Sequence, residues 1–407
     1  SRASRSRQQR LMIAPKRQRG YCKVMALSHD QVHPQPGAAP QGALTVLGLE
    51  SSCDDTAAAV LRRHGDGRIE VLAEAVMGQN SAHAPFGGVV PEIAARAHAE
   101  RMDGLASSVL SEAGLKPSDL DGVAATAGPG LIGGVMAALM TAKGIALGAN
   151  LPLLAVNHLE GHALSPRLTH ALAFPYLLLL VSGGHTQLVI VEGVGRMTRL
   201  GSTLDDAAGE AFDKTAKVMG LGFPGGPAVE RYAQDAEAPD RFPLPMMLAR
   251  DASCNFSFAG LKTAARRHWD GLDAPDDHDR ADLAASMQAA IARHLAQRAG
   301  RAMGIFKSRF EALDSPLPLV AAGGVASNTA VREALQAEAQ RHGFELIAPP
   351  LKYCTDNAAM IALAGAERLA LGLTDGLDAA ARPRWPLDQD AAAHDPASGS
   401  GRKGPKA

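Results

Sequence analysis

Cysteine is scarce in this chain: four of 407 residues, Cys22, Cys53, Cys254 and Cys354, far apart and with no C-x-x-C pair. That argues against a cysteine metal site or a disulfide framework and fits a reducing compartment. Long apolar runs are lacking as well. The longest candidate, Ala173 to Val191, is broken by Ser182-Gly183-Gly184-His185, so no membrane span is expected. Neither charge sign dominates. A formal net charge of −1 argues against a broad basic nucleic-acid surface and leaves any RNA contact to a local or shared patch. The phosphate-loop pattern G-x-x-x-x-G-K-[ST] and the Rossmann glycine fingerprint are also missing.

What is present begins with 46% hydrophobic residues and 42 glycines, in a chain long enough for two domains with a sizeable core. The first 42 residues differ from the rest. Ser1 to Lys23 holds eight basic residues and no acidic one, and Gln31 to Gly42 is rich in Pro, Gln, Gly and Ala. Such a segment cannot bury enough apolar surface to fold. It reads as an Arg-rich transit peptide or, in preference, as an extension ahead of a start at Met25. Residues 391–407 read as a loose polar tail.

The most informative run is His158-Leu159-Glu160-Gly161-His162. On a helix, at about 100° per residue, the two histidines return to nearly one face, where two imidazoles can bind one metal ion. The run invites comparison with the H-E-x-x-H peptidase motif, whose glutamate follows the first histidine and acts as general base. Here Leu159 stands in that place, and Glu160 is expected to point away from the metal. Histidines that merely cap or pack a helix are the bland alternative.

Strand and helix signals alternate from Leu44 to about Leu371, the pattern of an α/β fold. Leu44 to Leu49 and Thr56 to Leu61 read as strands around the polar turn Glu50 to Asp55. Tyr176 to Val181 and Thr186 to Val191 repeat this around Ser182 to His185. Each hairpin is followed by a further strand-like stretch, Ile69 to Met77 and Thr198 to Leu204. Two hairpin-led halves predict a duplicated fold with a cleft between lobes. Glycine turns at Gly128-Pro129-Gly130, Ser182 to Gly184, Gly225-Gly226-Pro227 and Gly323-Gly324 allow close backbone approach and anion-binding N–H groups. Together they favour a phosphate or nucleotide ligand. Thr355 or Asp356 is a plausible N-cap of a following helix; Asp356 is equally a carboxylate to complete a two-histidine site suited to Fe(II) or Zn(II). In Asp205 to Lys214, the early acids suit a helix N-terminus, whereas Asp213 is placed to accept hydrogen bonds from ribose hydroxyls.

With these residues assembled, the chain resembles the bacterial and mitochondrial tRNA N6-adenosine threonylcarbamoyltransferases, a family once called sialoglycoprotein endopeptidases. The resemblance runs from Leu44 to about Leu387. It is carried by Leu47 to Thr56, Gly87 to Glu92, the histidine run, Val181 to Gln187, Asp205 to Lys217, Phe256 to Thr263, Ala322 to Val325, Cys354 to Asn357 and Arg382 to Leu387. Asp55 stands where many relatives have Glu.

The resemblance implies a duplicated actin/Hsp70/sugar-kinase-like (ribonuclease-H-like) two-lobe α/β fold with a central cleft. The lobes are expected at 43–170 and 171–390. It implies one divalent metal ion per chain, Fe(II) ahead of Zn(II), held by His158, His162 and Asp356. The donor threonylcarbamoyl-adenylate would contact Leu180, Val181, Ser182, Gly183, Gly184, Asp213, Gly226 and Asn328. The implied reaction moves the threonylcarbamoyl group to N6 of adenosine 37 in tRNAs reading codons that begin with A. Asp54, on the first hairpin turn, is the candidate base, with a turn-forming role as its alternative. Implied partners are tRNA, an inactive actin-fold paralogue and an accessory ATPase, with no membrane. The expected location is the cytoplasm, or the mitochondrion if the N-terminus is a transit peptide. Arg266, Arg267, Arg382 and Arg384 are candidate phosphate contacts.

Three other classes compete. A non-catalytic scaffold paralogue is expected to lack the histidines, which this chain keeps. A metallopeptidase explains the histidines but lacks the adjacent glutamate. An actin-fold ATPase or sugar kinase explains the glycine turns but not the metal set.

Overall fold

The computed structural model describes residues 42–86 and 89–394. The readings made above for residues 1–41, for Gly87-Gly88 and for 395–407 lie outside them. The first half runs β1 (Leu44–Glu50), β2 (Thr56–Arg63), β3 (Ile69–Met77), α1 (Asn80–His83), α2 (Pro91–Glu112), β4 (Gly122–Gly128), α3 (Ile132–Ala149), β5 (Leu153–Asn157) and α4 (His158–Leu164). The second runs β6 (Tyr176–Val181), β7 (Thr186–Gly193), β8 (Arg196–Ser202), α5 (Ala208–Met219), α6 (Gly225–Ala233), α7 (Ala259–Asp270), α8 (Asp277–Arg309), β9 (Leu317–Ala322), α9 (Thr329–His342) and β10 (Phe344–Ile347). α10 (Leu351–Cys354), α11 (Ala358–Ala370) and α12 (Gln389–His394) close the described chain.

The two sheets have one topology. In the first the order is β3-β2-β1-β4-β5, in the second β8-β7-β6-β9-β10. Each opens with an antiparallel three-strand meander and continues with two parallel strands. The duplication expected from the two hairpins is present, with strand boundaries within about two residues of the reading.

Side-chain alternation along buried strands assigns each face of a sheet to its own helices. On β2, Ala58 and Val60 pack towards α2 and α3, while Ala57, Ala59 and Leu61 pack towards α11. On β6, Leu177, Leu179 and Val181 join the core built with α5, α7, α8 and α9. Leu178 and Leu180, on the opposite face, pack with Leu159 and Ala163 of α4. Helix α11 therefore follows the second sheet in sequence but covers the first sheet in space. Between them, α4 and α11 meet at Gly161, where a Cβ would lie 2.8 Å from Ile361 Cδ1. Only a glycine allows that approach without displacing the neighbour.

One helix, α3, is long and apolar enough by length and composition to cross a membrane, which the reading of uninterrupted runs had passed over. Its Gly134, Val135, Ala138, Leu139, Ala142 and Ala146 are buried in the protein, and the rest of the helix is not. No other described helix meets that test.

Candidate active site

The strand ends of both sheets converge on one cavity of about 430 Å³. It is lined by Ser52 to Asp55 of the β1–β2 turn, Pro129 to Leu131, His158, Ser182 to His185 of the β6–β7 turn, Glu210, Gly324 and Cys354 to Asp356.

The metal candidates meet here. Asn157 caps α4 through its side chain, accepting from the Leu159 N–H at 2.9 Å, and so places His158 in the first turn and His162 one turn later. Their rings are edge-to-face with centroids 4.7 Å apart. Asp356 Oδ1 lies 3.0 Å from His162 Nε2 and 3.5 Å from His158 Nε2. The three ligand atoms all fall within 4.8 Å of one another. The N-cap of α11 is Asn357, whose Oδ1 accepts from the Met360 N–H, rather than Thr355 or Asp356. Asp356 is thereby free to face the histidines.

Behind His158 stands a residue that sequence reading did not single out. Glu50, fully buried at the end of β1, accepts from His158 Nδ1 at 2.9 Å and from the Ser52 N–H at 2.6 Å. The Thr126 hydroxyl donates to the same carboxylate, and Ser52 Oγ lies 3.0 Å from His158 Nδ1. Fixing Nδ1 in this way turns Nε2 towards Asp356, the arrangement by which carboxylates orient metal-binding histidines. The available signal was a carboxylate ending an otherwise apolar buried strand.

Burial opposes charge on His158, but Glu50 and Asp356 overcome it and raise its pKa to about 9. Burial likewise works against the Asp356 carboxylate, while His158 and His162 hold it far below its ordinary range. Burial first, then the charges of Asp356, Asp54 and Glu50, push Asp55 up to about 7. The cavity lining holds four carboxylates and no Lys or Arg. Such a cluster of like charges calls for a compensating cation, and two imidazoles with a carboxylate are a suitable donor set for one. Burial, then the nearby Asp54 and Asp356, raise the Cys53 thiol well above its usual range, which disfavours the thiolate a nucleophile needs.

Glu160 points away from this centre, as its helical position predicts. It accepts from the Gly195 N–H at 2.8 Å and pairs with Arg368 at 3.7 Å.

Of the expected substrate contacts, Ser182, Gly183 and Gly184 line the cavity, and the Gly209 N–H at the start of α5 donates to Ser182 O. The others have different neighbours. Leu180 and Val181 are fully buried in β6. Asp213 accepts from the Gly225 N–H at 2.8 Å and so caps α6 beside Gly226. Asn328 caps α9 through the Val331 N–H and donates to Gln288 Oε1. Asp54 lines the cavity. Among the candidate phosphate contacts, Arg266 pairs with Asp270, and Arg382 stacks on Trp385.

A family model described as tRNA N6-adenosine threonylcarbamoyltransferase matches residues 70–363. A protein of that name from Maricaulis maris is 72% identical over 90% of this chain and 97% of its own length. The Caulobacter vibrioides protein of the same name is 59% identical over 90% of this chain and 99% of its own.

The chain belongs to the tRNA N6-adenosine threonylcarbamoyltransferase family. It is therefore a transferase that modifies tRNA adenosine at N6. Its fold is actin-like. The crystal structure of T. kodakarensis HypF superposes with a TM-score of 0.52 at 15% identity, over 83% of this chain and 49% of that one.

Proposed function

We propose that this cavity binds threonylcarbamoyl-adenylate beside the metal and receives N6 of adenosine 37, in tRNAs reading codons that begin with A. The observation that carries the reading is that the His158, His162, Asp356 group and the Ser182–Gly184 turn open on one cavity. The turn offers backbone to an adenylate. The donor set lies where the anionic end of the donor needs positive charge that no Lys or Arg of the lining supplies. We assign one divalent ion per chain, Fe(II) ahead of Zn(II), to that set; when bound it would orient and polarise the donor.

The acceptor is a poor nucleophile because its lone pair is delocalised into the purine. The chain's own work is then to align the reactants, exclude water and accept the amine proton. We assign proton acceptance to the Asp54–Asp55 turn. Asp54 is the candidate from sequence, and Asp55, held near neutrality, has the basicity such a role needs. Leu180, Val181, Asp213, Gly226 and Asn328 are retained as donor contacts, through backbone atoms or through the α5, α6 and α9 termini they organise.

We further propose that the chain works with an actin-fold paralogue and an accessory ATPase. In support, α3 presents Ile132, Met136, Met140 and Leu147, between 46% and 70% exposed, along one face at helical spacing. Contiguous exposed apolar surface of this kind marks protein contacts. We assign the reaction to the cytoplasm, in keeping with the free Cys53, Cys254 and Cys354. Mass spectrometry of tRNA from cells depleted of the protein tests the whole reading: loss of the threonylcarbamoyl mark is expected, and its persistence would reject it.

A further inference from the structure

His98 lies on α2, outside the cavity, and is fully buried. Its ring links the middle of the β1–β2 turn to the first residue of β2. Nε2 is 3.1 Å from the carbonyl oxygen of Cys53, and Nδ1 is 2.8 Å from Thr56 Oγ1. A carbonyl can only accept, so Nε2 carries the proton and Nδ1 accepts from the threonine hydroxyl. Burial lowers the His98 pKa, which keeps this neutral tautomer. Gln79, also buried, brings its amide nitrogen within 3.4 Å of Nδ1.

The Cys53 carbonyl and the Asp54 N–H belong to one planar peptide unit. Holding that oxygen fixes the tilt of the plane, and with it the directions in which Asp54 and Asp55 leave the backbone. Ser51 and Ser52 anchor the preceding part of the turn, to Gly134 O and Glu50. The two bonds of His98, to Cys53 and Thr56, flank the part that carries the two acids.

We propose that His98 is a positioning residue for the transfer reaction, holding the Cys53–Thr56 turn so that the Asp54 and Asp55 carboxylates face the bound reactants. The inference rests on the reading of those carboxylates as the proton acceptors.

The test compares His98→Asn with His98→Gln in full-length protein, assayed in a reconstituted transfer reaction with synthetic adenylate donor and tRNA. Gln carries an amide nitrogen near the position of Nε2 and restores the bond to Cys53. Asn is too short for that bond, although it still reaches Thr56. His98→Asn is expected to lower kcat by about a hundredfold, the scale of an ångström misplacement, with donor KM and metal content unchanged. His98→Gln should recover most of the rate. When His98→Asn is added to an Asp54→Asn, Asp55→Asn protein, no further loss is expected, because residues acting through one group are not additive.

Unchanged kcat in His98→Asn, a loss that tracks the melting temperature, or a full additional loss in the Asp-substituted background would each overturn the proposal. An Asp54→Asn, Asp55→Asn protein that keeps its rate would sink the carboxylate reading, and the His98 role with it. A rate lost in that protein but kept in His98→Asn places the failure on His98 alone.

Discussion

The Nδ1 atom of His158 lies 2.9 Å from Oε2 of Glu50, so the residue that ends β1 grips the residue that begins α4. This contact couples the first sheet to the metal candidates and keeps Nε2 directed at Asp356. Glu50→Gln is expected to weaken metal binding by about 10- to 100-fold, the usual cost of losing such a partner, with His158, His162 and Asp356 intact. Competition against a chromophoric chelator measures this, and an unchanged affinity would rule it out.

The ligands themselves give a sharper result. His158→Ala with His162→Ala, or Asp356→Ala alone, should leave the protein folded by circular dichroism, without bound metal and without transfer activity. Full metal occupancy of the double variant by elemental analysis would refute the assignment.

The environment of Glu160 separates this centre from that of a peptidase. Its carboxylate is engaged by Gly195 and Arg368, so Glu160→Gln should cost about 2 kcal/mol of stability, the scale of a hydrogen bond to a charged group. Metal content should stay the same. Purified protein should cleave no glycoprotein; chelator-sensitive cleavage that disappears with His162→Ala would contradict this.

Much of this was legible in the sequence because period-two and helical patterns are local. The duplicated meander, the placement of both histidines on one face and the outward direction of Glu160 all follow from spacing. The roles that were not legible depend on contacts between distant segments. Glu50 reads as the first residue of a polar turn until β1 and α4 are packed together, 108 residues apart in sequence. Asp356, expected as a metal ligand from the resemblance, reads by local pattern alone as a helix cap, and only the fold shows Asn357 in that position. Asp213 and Asn328 look free in the sequence, yet in the fold both satisfy helix N-termini. Nothing in the sequence shows α11 returning to the first sheet, because its apolar pattern fits either one.

A pH effect follows from His294, buried among Phe256 and Phe258 and accepting from the Ser257 N–H. Burial, the largest influence, lowers its pKa to about 4; Asp205 opposes this and Arg301 adds to it. The folded protein then holds fewer protons than the unfolded chain between about pH 6.5 and 4. Stability present above the unfolded value is therefore lost as pH falls through that window, by at most about 3 kcal/mol. Denaturant titrations at pH 7.5, 6 and 5 should show the decline, and His294→Gln should flatten it. An equal decline in the variant would assign the effect to other groups.

The last prediction concerns partners. A chain of net charge −1 must bring the anticodon loop of a highly charged RNA to a cavity lined by carboxylates. Phosphate contacts need clustered Lys and Arg, and two of the four candidate arginines are already engaged, Arg266 by Asp270 and Arg382 by Trp385. The isolated protein is therefore expected to bind tRNA weakly, with a shallow salt dependence, and to turn over poorly. Adding an actin-fold partner and an ATPase should restore multiple turnovers. If the α3 stripe is the contact, Met136→Glu with Met140→Glu should abolish that restoration while leaving metal content and melting temperature unchanged, because both side chains are already exposed. A purified chain that alone matches the rate of the reconstituted mixture would disprove the partner requirement. A double variant still stimulated to the full extent would place the contact on another face.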